Sequence, residues 1–217
     1  MPMRTAPRPL SLSPELPLKY VGGDPGVDLV NTVDWGADDL SNDRIPSYDR
    51  LTRWAEGAGV ISAAVGERLR RRAAARSREA VAAVATAGWI RWVLQRLFTA
   101  VATGQPPGSA LDEFNELLAD ALPRLHLASA PSARRHALAM TWRDMGDDLQ
   151  SPLWPVIWSA AQLLASDEAA QIRVCAAPDC GWVYVDRSRN RLRRWCQMET
   201  CGTREKSRRR YRRAKEN

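Results

Sequence analysis

The sequence predicts an α+β protein: a predominantly helical body with a few short strands, then a small cysteine-bearing module built from a hairpin and a C-terminal basic helix. Three observations predict it. Apolar residues recur at helical spacing in segments from Leu51 to Leu164. The composition shifts near Ile172. All four cysteines of the 217-residue chain fall in its last fifth.

Residues 1–18 are proline-rich without a continuous apolar run, which predicts a disordered lead and no secretory signal. Lys19 to Val21 is a candidate strand before a glycine-rich turn, and Val27 to Val33 is a brief apolar segment, strand or helix. Ser47 is placed to cap a helix carrying Leu51, Trp54 and Ala55, with Gly57 and Gly59 as stop signals. Ser62 can cap the next helix, and Ala/Arg-rich sequence runs on to Gly104. One helix of that length would be unusual, so a break is expected near Ser77 or between Thr86 and Gly88. Ile90, Val93, Leu94, Leu97, Phe98 and Val101 form an apolar stripe in its second part.

Past the linker at Pro106 to Gly108, Ser109 opens a helix through Leu111, Phe114, Leu117, Leu118 and Ala121, halted by Pro123. Leu125 to Ser129 and His136 to Trp142 alternate well enough for a hairpin. Ser151 followed by Pro152 signals a helix running to about Ser166. The body is thus expected over 19–168 and the cysteine module over 172–217. No uncharged apolar stretch reaches about 18 residues, which excludes a transmembrane helix and predicts a soluble, cytoplasmic protein.

Charge is unevenly placed. The chain carries 32 basic and 25 acidic residues, a formal charge of +7. From Arg187 onward 13 basic residues face 3 acidic ones, so the tail holds +10 and the first 186 residues −3. A mildly acidic body with a strongly basic tail is the footprint of a polyanion-binding protein.

Cys175, Cys180, Cys196 and Cys201 form two C-x4-C pairs fifteen residues apart. In a cytosolic protein such pairs point to a metal site; two disulfides or an iron–sulfur cluster are the alternatives. Zinc suits them, because a filled d shell accepts four thiolates in a tetrahedron without redox chemistry, and a filled tetrahedron leaves no place for a catalytic water. One structural Zn2+ is expected. Pro178-Asp179-Cys180-Gly181 reads as a turn, residues 182–185 as a strand, and Cys196 and Cys201 as bracketing a helix start.

Cys175, Pro178-Asp179-Cys180, Asp186, Ser188, Arg193-Arg194-Trp195-Cys196, Met198 and Cys201-Gly202-Thr203-Arg204 resemble the CGNR zinc finger. The segment Val27-Asp28-Leu29-Val30-Asn31-Thr32, with Leu51, Trp54 and Gly59-Val60-Ile61, resembles the ABATE domain found with that finger. Thr203 stands where the finger signature has asparagine. The resemblance implies a treble-clef-like finger in a family of stress-related transcriptional regulators, and so DNA binding.

After Cys201 the chain has strong helix formers and no apolar stripe. Arg204, Arg208, Tyr211, Arg212 and Lys215 share one helical face. Arg204, Arg208 and Arg212 are the expected nucleic-acid contacts, with Arg193 and Arg194 positioning the nucleic-acid backbone; Arg193, Arg194 and Arg204 adjoin cysteines and are also candidates to screen them. Trp182 and Trp195 are expected as a mini-core. The body's polar cluster Asp28, Asn31, Thr32 and Asp34, with Trp35 and Trp54 as walls, is a candidate small-molecule effector pocket, although turn and cap hydrogen bonding is the commoner use of such residues.

His126 and His136 lack ligand-spaced partners, and no nucleophile elbow, phosphate loop, dinucleotide fingerprint or HExxH occurs. The reading is a non-enzymatic, zinc-finger DNA-binding transcriptional regulator whose partner is double-stranded DNA. Because one small finger offers limited specificity, a homodimer fits. RNA or ribosome binding and an enzyme near Asp28 tethered by the finger are the alternatives.

Overall fold

A computed structural model describes residues 16–35, 42–129 and 138–216. The expected lead lies outside the described residues as far as residue 15. Its last residues belong to the folded body instead: Leu18 packs against the core, and the Leu16 carbonyl accepts from Arg50.

Helix α1 (Pro25–Val30) settles the strand-or-helix question at Val27. Asp24 accepts the Gly26 N–H at 2.7 Å, and Pro25 presets the first helical turn. A Cβ on Gly26 would lie 2.7 Å from the Ala160 Cβ, so glycine is what lets α1 lie directly on helix α6 (Leu153–Leu164). Lys19 to Val21 forms no strand.

Ser47 and Ser62 cap α2 (Tyr48–Gly57) and α3 (Ala63–Ala75) as expected, accepting from Arg50 and Val65. The long helical stretch breaks at Arg76, next to Ser77, and α4 (Ser77–Thr103) then runs unbroken past Gly88. Ala80, Ala83, Ala87, Ile90, Leu94, Leu97 and Phe98 line its buried face, while Val101 emerges at the stripe's end. Arg91 on the same helix is buried too; it donates to Asp43 at 2.9 and 2.7 Å and to the Thr32 hydroxyl at 3.0 Å.

Helix α5 (Ser109–Ala121) ends in a 3-10 turn containing Pro123, and Leu111 sits on its outer face. Strands β1 (Leu125–Ser129) and β2 (Leu138–Trp142) pair antiparallel, Leu127 opposite Met140; the turn between them and His136 lie outside the described residues. Helix α6 starts just after Pro152, but Ser151 is not its cap: its hydroxyl accepts the Gly146 N–H.

Strands β3 (Ile172–Val174) and β4 (Val183–Val185) form the second antiparallel pair, and a π-helical turn (Met198–Gly202) leads into α7 (Thr203–Glu216). The composition shift near Ile172 falls where β3 begins, yet packing crosses it. Ile172, Val183 and Val185 are buried in the same core as Val27, Leu51, Trp54 and Val156. Among the described residues, no helix is long and apolar enough to cross a membrane.

Candidate metal centre

β3 hands the chain to Cys175, a tight knuckle carries it to Cys180, and β4 begins three residues later. The Cys175 N–H donates to the Trp182 carbonyl at 2.8 Å, and Gly181 has φ +67°, the left-handed conformation that turns the chain back. Cys196 precedes the π-helical turn and Cys201 lies inside it, so the second pair sits at the start of α7.

The four buried sulfurs converge, all within 4.8 Å of one another. Cys196 Sγ is 3.6 Å from Cys180 Sγ and 3.5 Å from Cys201 Sγ. Four sulfurs at about 2.3 Å from a central zinc define a tetrahedron with edges of about 3.8 Å. The donor set therefore fits one structural Zn2+. Hydrogen bonds from Cys180 and Cys196 draw the Cys175 sulfur far below the usual thiol range, while donating to it holds those two above theirs. Four thiolates this close need a dication to ionise together.

The residues around the knuckle explain the finger's signature. A Cβ on Gly202 would run into Met198 Sδ and lie 3.1 Å from Trp195 Cδ1, so glycine lets the turn close under Trp195. Arg204 donates to Cys201 Sγ at 3.2 Å and lies 3.2 Å from Asp179. Thr203, the departure from the signature, is exposed and its hydroxyl donates to the Met198 carbonyl at 3.1 Å. Trp182 is buried, with its indole N–H on the Val33 carbonyl at 2.8 Å and Arg44 over its ring. Trp195 packs half-buried against the same small cluster.

The five arginines expected at nucleic acid divide. Arg193 turns inward, donating to the carbonyls of Trp195, Cys196 and Val21 and lying over the Tyr184 ring. Arg204 screens Cys201 as described. Arg208 donates to Asp179 at 2.8 Å and to Glu205 at 2.7 Å. Arg194 and Arg212 are exposed and make no ion pair among the described residues.

Sequence reasoning missed Asp179 as the clamp for Arg204 and Arg208. It quoted Asp186 and Ser188 as signature residues but missed the role of Asp186, whose carboxylate accepts from Ser188 and the Arg193 N–H. The Asp-x-Ser spacing of a side-chain-bonded turn was the available signal for the latter.

Of the proposed effector-pocket residues, Asp28 lies in α1, Asn31 caps it and Trp54 lies in α2, and their polar side chains from Asp28 to Trp35 are used within the fold. Asp28 accepts the Gly22 N–H at 2.8 Å; burial pushes its carboxyl up to about 6, against backbone hydrogen bonds from Gly22 and Val21. Asn31 bonds Val183 on both sides, and the Thr32 hydroxyl donates to Leu29. Asp34 pairs with Arg44 at 3.1 Å, and Trp35 donates to the Val30 carbonyl. Trp54 is fully buried. His126 is half-buried in β1, its Nδ1 near the Arg124 carbonyl.

A helical body joined through one core to a four-cysteine finger defines a zinc-finger protein. Residues 171–214 match the CGNR zinc finger, and residues 23–167 match ABATE, a family described as "Putative stress-induced transcription regulator". The chain belongs to the ABATE family and carries the CGNR finger at its C-terminal end. No curated protein matches it.

Proposed function

We propose that this regulator acts by binding double-stranded DNA in the cytoplasm, with Cys175, Cys180, Cys196 and Cys201 holding Zn2+ and α7 presented to the phosphates. The observation that carries this reading is the exposure of α7. From Arg209 to Lys215 every residue is exposed, and the stretch holds Arg209, Arg210, Arg212, Arg213 and Lys215. Its first turns are anchored by Glu205, Arg208 and Asp179. The rest is a helix with no apolar seam. Such a segment gains little from the protein and suffers like-charge repulsion, both of which a polyanion relieves.

The contact set then differs from the one spacing alone suggests. Arg194, Arg209, Arg212 and Arg213 reach phosphate, whereas Arg193, Arg204 and Arg208 build the platform. A homodimer reading two half-sites would add the specificity that one short helix lacks. Fluorescence anisotropy of the zinc-loaded protein against labelled duplex DNA, duplex RNA and single strands tests the reading. Tightest binding to duplex DNA is expected; a preference for RNA, or no binding to any of the three, overturns it.

A further inference from the structure

The loop between the zinc half-sites is rigid at its base and apolar at its tip. Asp186 is almost wholly buried; its Oδ1 accepts the N–H and hydroxyl of Ser188 at 3.0 and 2.6 Å, and its Oδ2 accepts the Arg193 N–H at 3.0 Å. Tyr184 donates its hydroxyl to the Arg193 carbonyl at 2.6 Å, and the Ala176 N–H donates to the Arg194 carbonyl at 2.9 Å. Arg187 holds the near side through both oxygens of Glu168.

Between these anchors the chain turns at Ser188 to Arg191, and Arg191 takes φ +50°, a left-handed conformation unusual for a residue with a side chain. The next residue, Leu192, is 76 % exposed, the highest value among the large apolar side chains of the described residues. Arg189, Arg191 and Arg194 surround it in sequence, all exposed and without an ion pair among the described residues.

The Leu192 side chain is held out in water by a tightly anchored turn and adds nothing to the buried core. Its sequence neighbours Arg189, Arg191 and Arg194 are exposed cations, and docking this tip on an apolar protein surface would strip water from them. A narrow minor groove offers what this tip needs: enhanced negative potential for the guanidiniums, and base steps between which a leucine can be driven.

Resting on the DNA-binding reading above, we infer that Leu192 is a wedge that enters the minor groove and kinks the duplex, with Arg189, Arg191 and Arg194 on the groove walls. The finger then has two working elements with separate energetics. Helix α7 supplies salt-dependent phosphate attraction, and the loop supplies a deformation term that favours flexible pyrimidine–purine steps.

The test uses the full zinc-loaded chain and a short duplex rich in TA steps, labelled at both ends for energy transfer. The wild type should shorten the end-to-end distance. Leu192→Ala should abolish that shortening and weaken binding by about tenfold while leaving the slope of affinity against salt unchanged. Leu192→Phe should restore the bend. Because Leu192 is exposed, zinc content and thermal unfolding of the variants should match the wild type. A Leu192→Ala protein that bends the duplex as the wild type does overturns the wedge, even where removing α7 arginines flattens the salt slope and so upholds DNA binding. A wild type that binds no duplex overturns both.

Discussion

Asn31 and Val183 bond to one another in both directions: the Asn31 amide donates to the Val183 carbonyl at 2.7 Å, and its oxygen accepts the Val183 N–H at 3.0 Å. The side chain of a body residue thus serves β4 as a third strand would. Both groups are buried, and Val27, Leu29 and Val30 of the helix that Asn31 caps pack in the core that takes Val183 and Val185. The finger is welded to the body along α1.

Asn31→Ala would leave two buried backbone groups of Val183 unpaired, each costing about 1–3 kcal/mol. The variant should lose about 3 kcal/mol in urea unfolding. Its zinc content should stay at the wild-type level, since Asn31 touches no cysteine. A change within a few tenths of a kcal/mol, the usual error of such comparisons, would show that water replaces the amide and that the seam rests on packing alone.

Arg204 is a different case, because its guanidinium meets a sulfur rather than a phosphate. It donates to Cys201 Sγ at 3.2 Å and is held by Asp179 on the other side. Partners of metal ligands set affinity as well as orientation, so Arg204→Ala should weaken zinc binding by about 10- to 100-fold. Competition with a chromophoric chelator measures it. Asp179→Ala should fall in the same direction but by less, because it acts through Arg204 and Arg208.

Much of this was legible in the sequence, for identifiable reasons. Local signals held: Ser47 and Ser62 cap helices because a hydroxyl before an apolar periodic run has one good use, and the Cys175–Cys180 knuckle follows from Gly181. The sulfur cluster was readable because thiol spacing encodes it. Long-range partners were not. Nothing in the spacing of Asn31 says that it meets Val183, 152 residues away, and a polar cluster in apolar surroundings reads as local turn and cap hydrogen bonding, or as a pocket, before it reads as a seam. Asp179 escaped notice because its partners lie on a helix 25–29 residues later. Arg193 and Arg194 carry the same expectation in sequence; only placement separates Arg193, turned inward, from Arg194, turned out.

Asp28 gives the protein a pH signature. Burial holds its carboxyl at about 6 in the folded state, above the roughly 3.9 of an unfolded chain. The folded state then binds this proton more tightly, so the contribution of Asp28 is greatest below about pH 4 and is lost as pH rises towards 6. The loss is on the order of 2–3 kcal/mol. Urea unfolding across that window should show the wild type losing stability relative to Asp28→Asn as pH rises. Parallel curves would mean that the carboxylate is solvated at little cost. Comparing the two proteins cancels the effect of acid on the zinc thiolates, which both share.

The arginines of α7 offer the sharpest contrast, because neighbours on one helix are assigned opposite roles. Arg209, Arg212 and Arg213 are exposed and make no ion pair among the described residues, whereas Arg208 is held by Asp179 and Glu205. Each phosphate contact contributes about 0.9 to the slope of log affinity against log salt. Replacing Arg209, Arg212 and Arg213 by Ala should therefore lower the slope on duplex DNA by about 2.7. Arg208→Ala should leave that slope nearly unchanged and act on the anchoring of the helix, seen as a loss of helical circular dichroism in the free protein. If Arg208→Ala flattens the slope as much as each outer arginine does, Asp179 releases it on binding, and the division between platform and contact residues fails at that position.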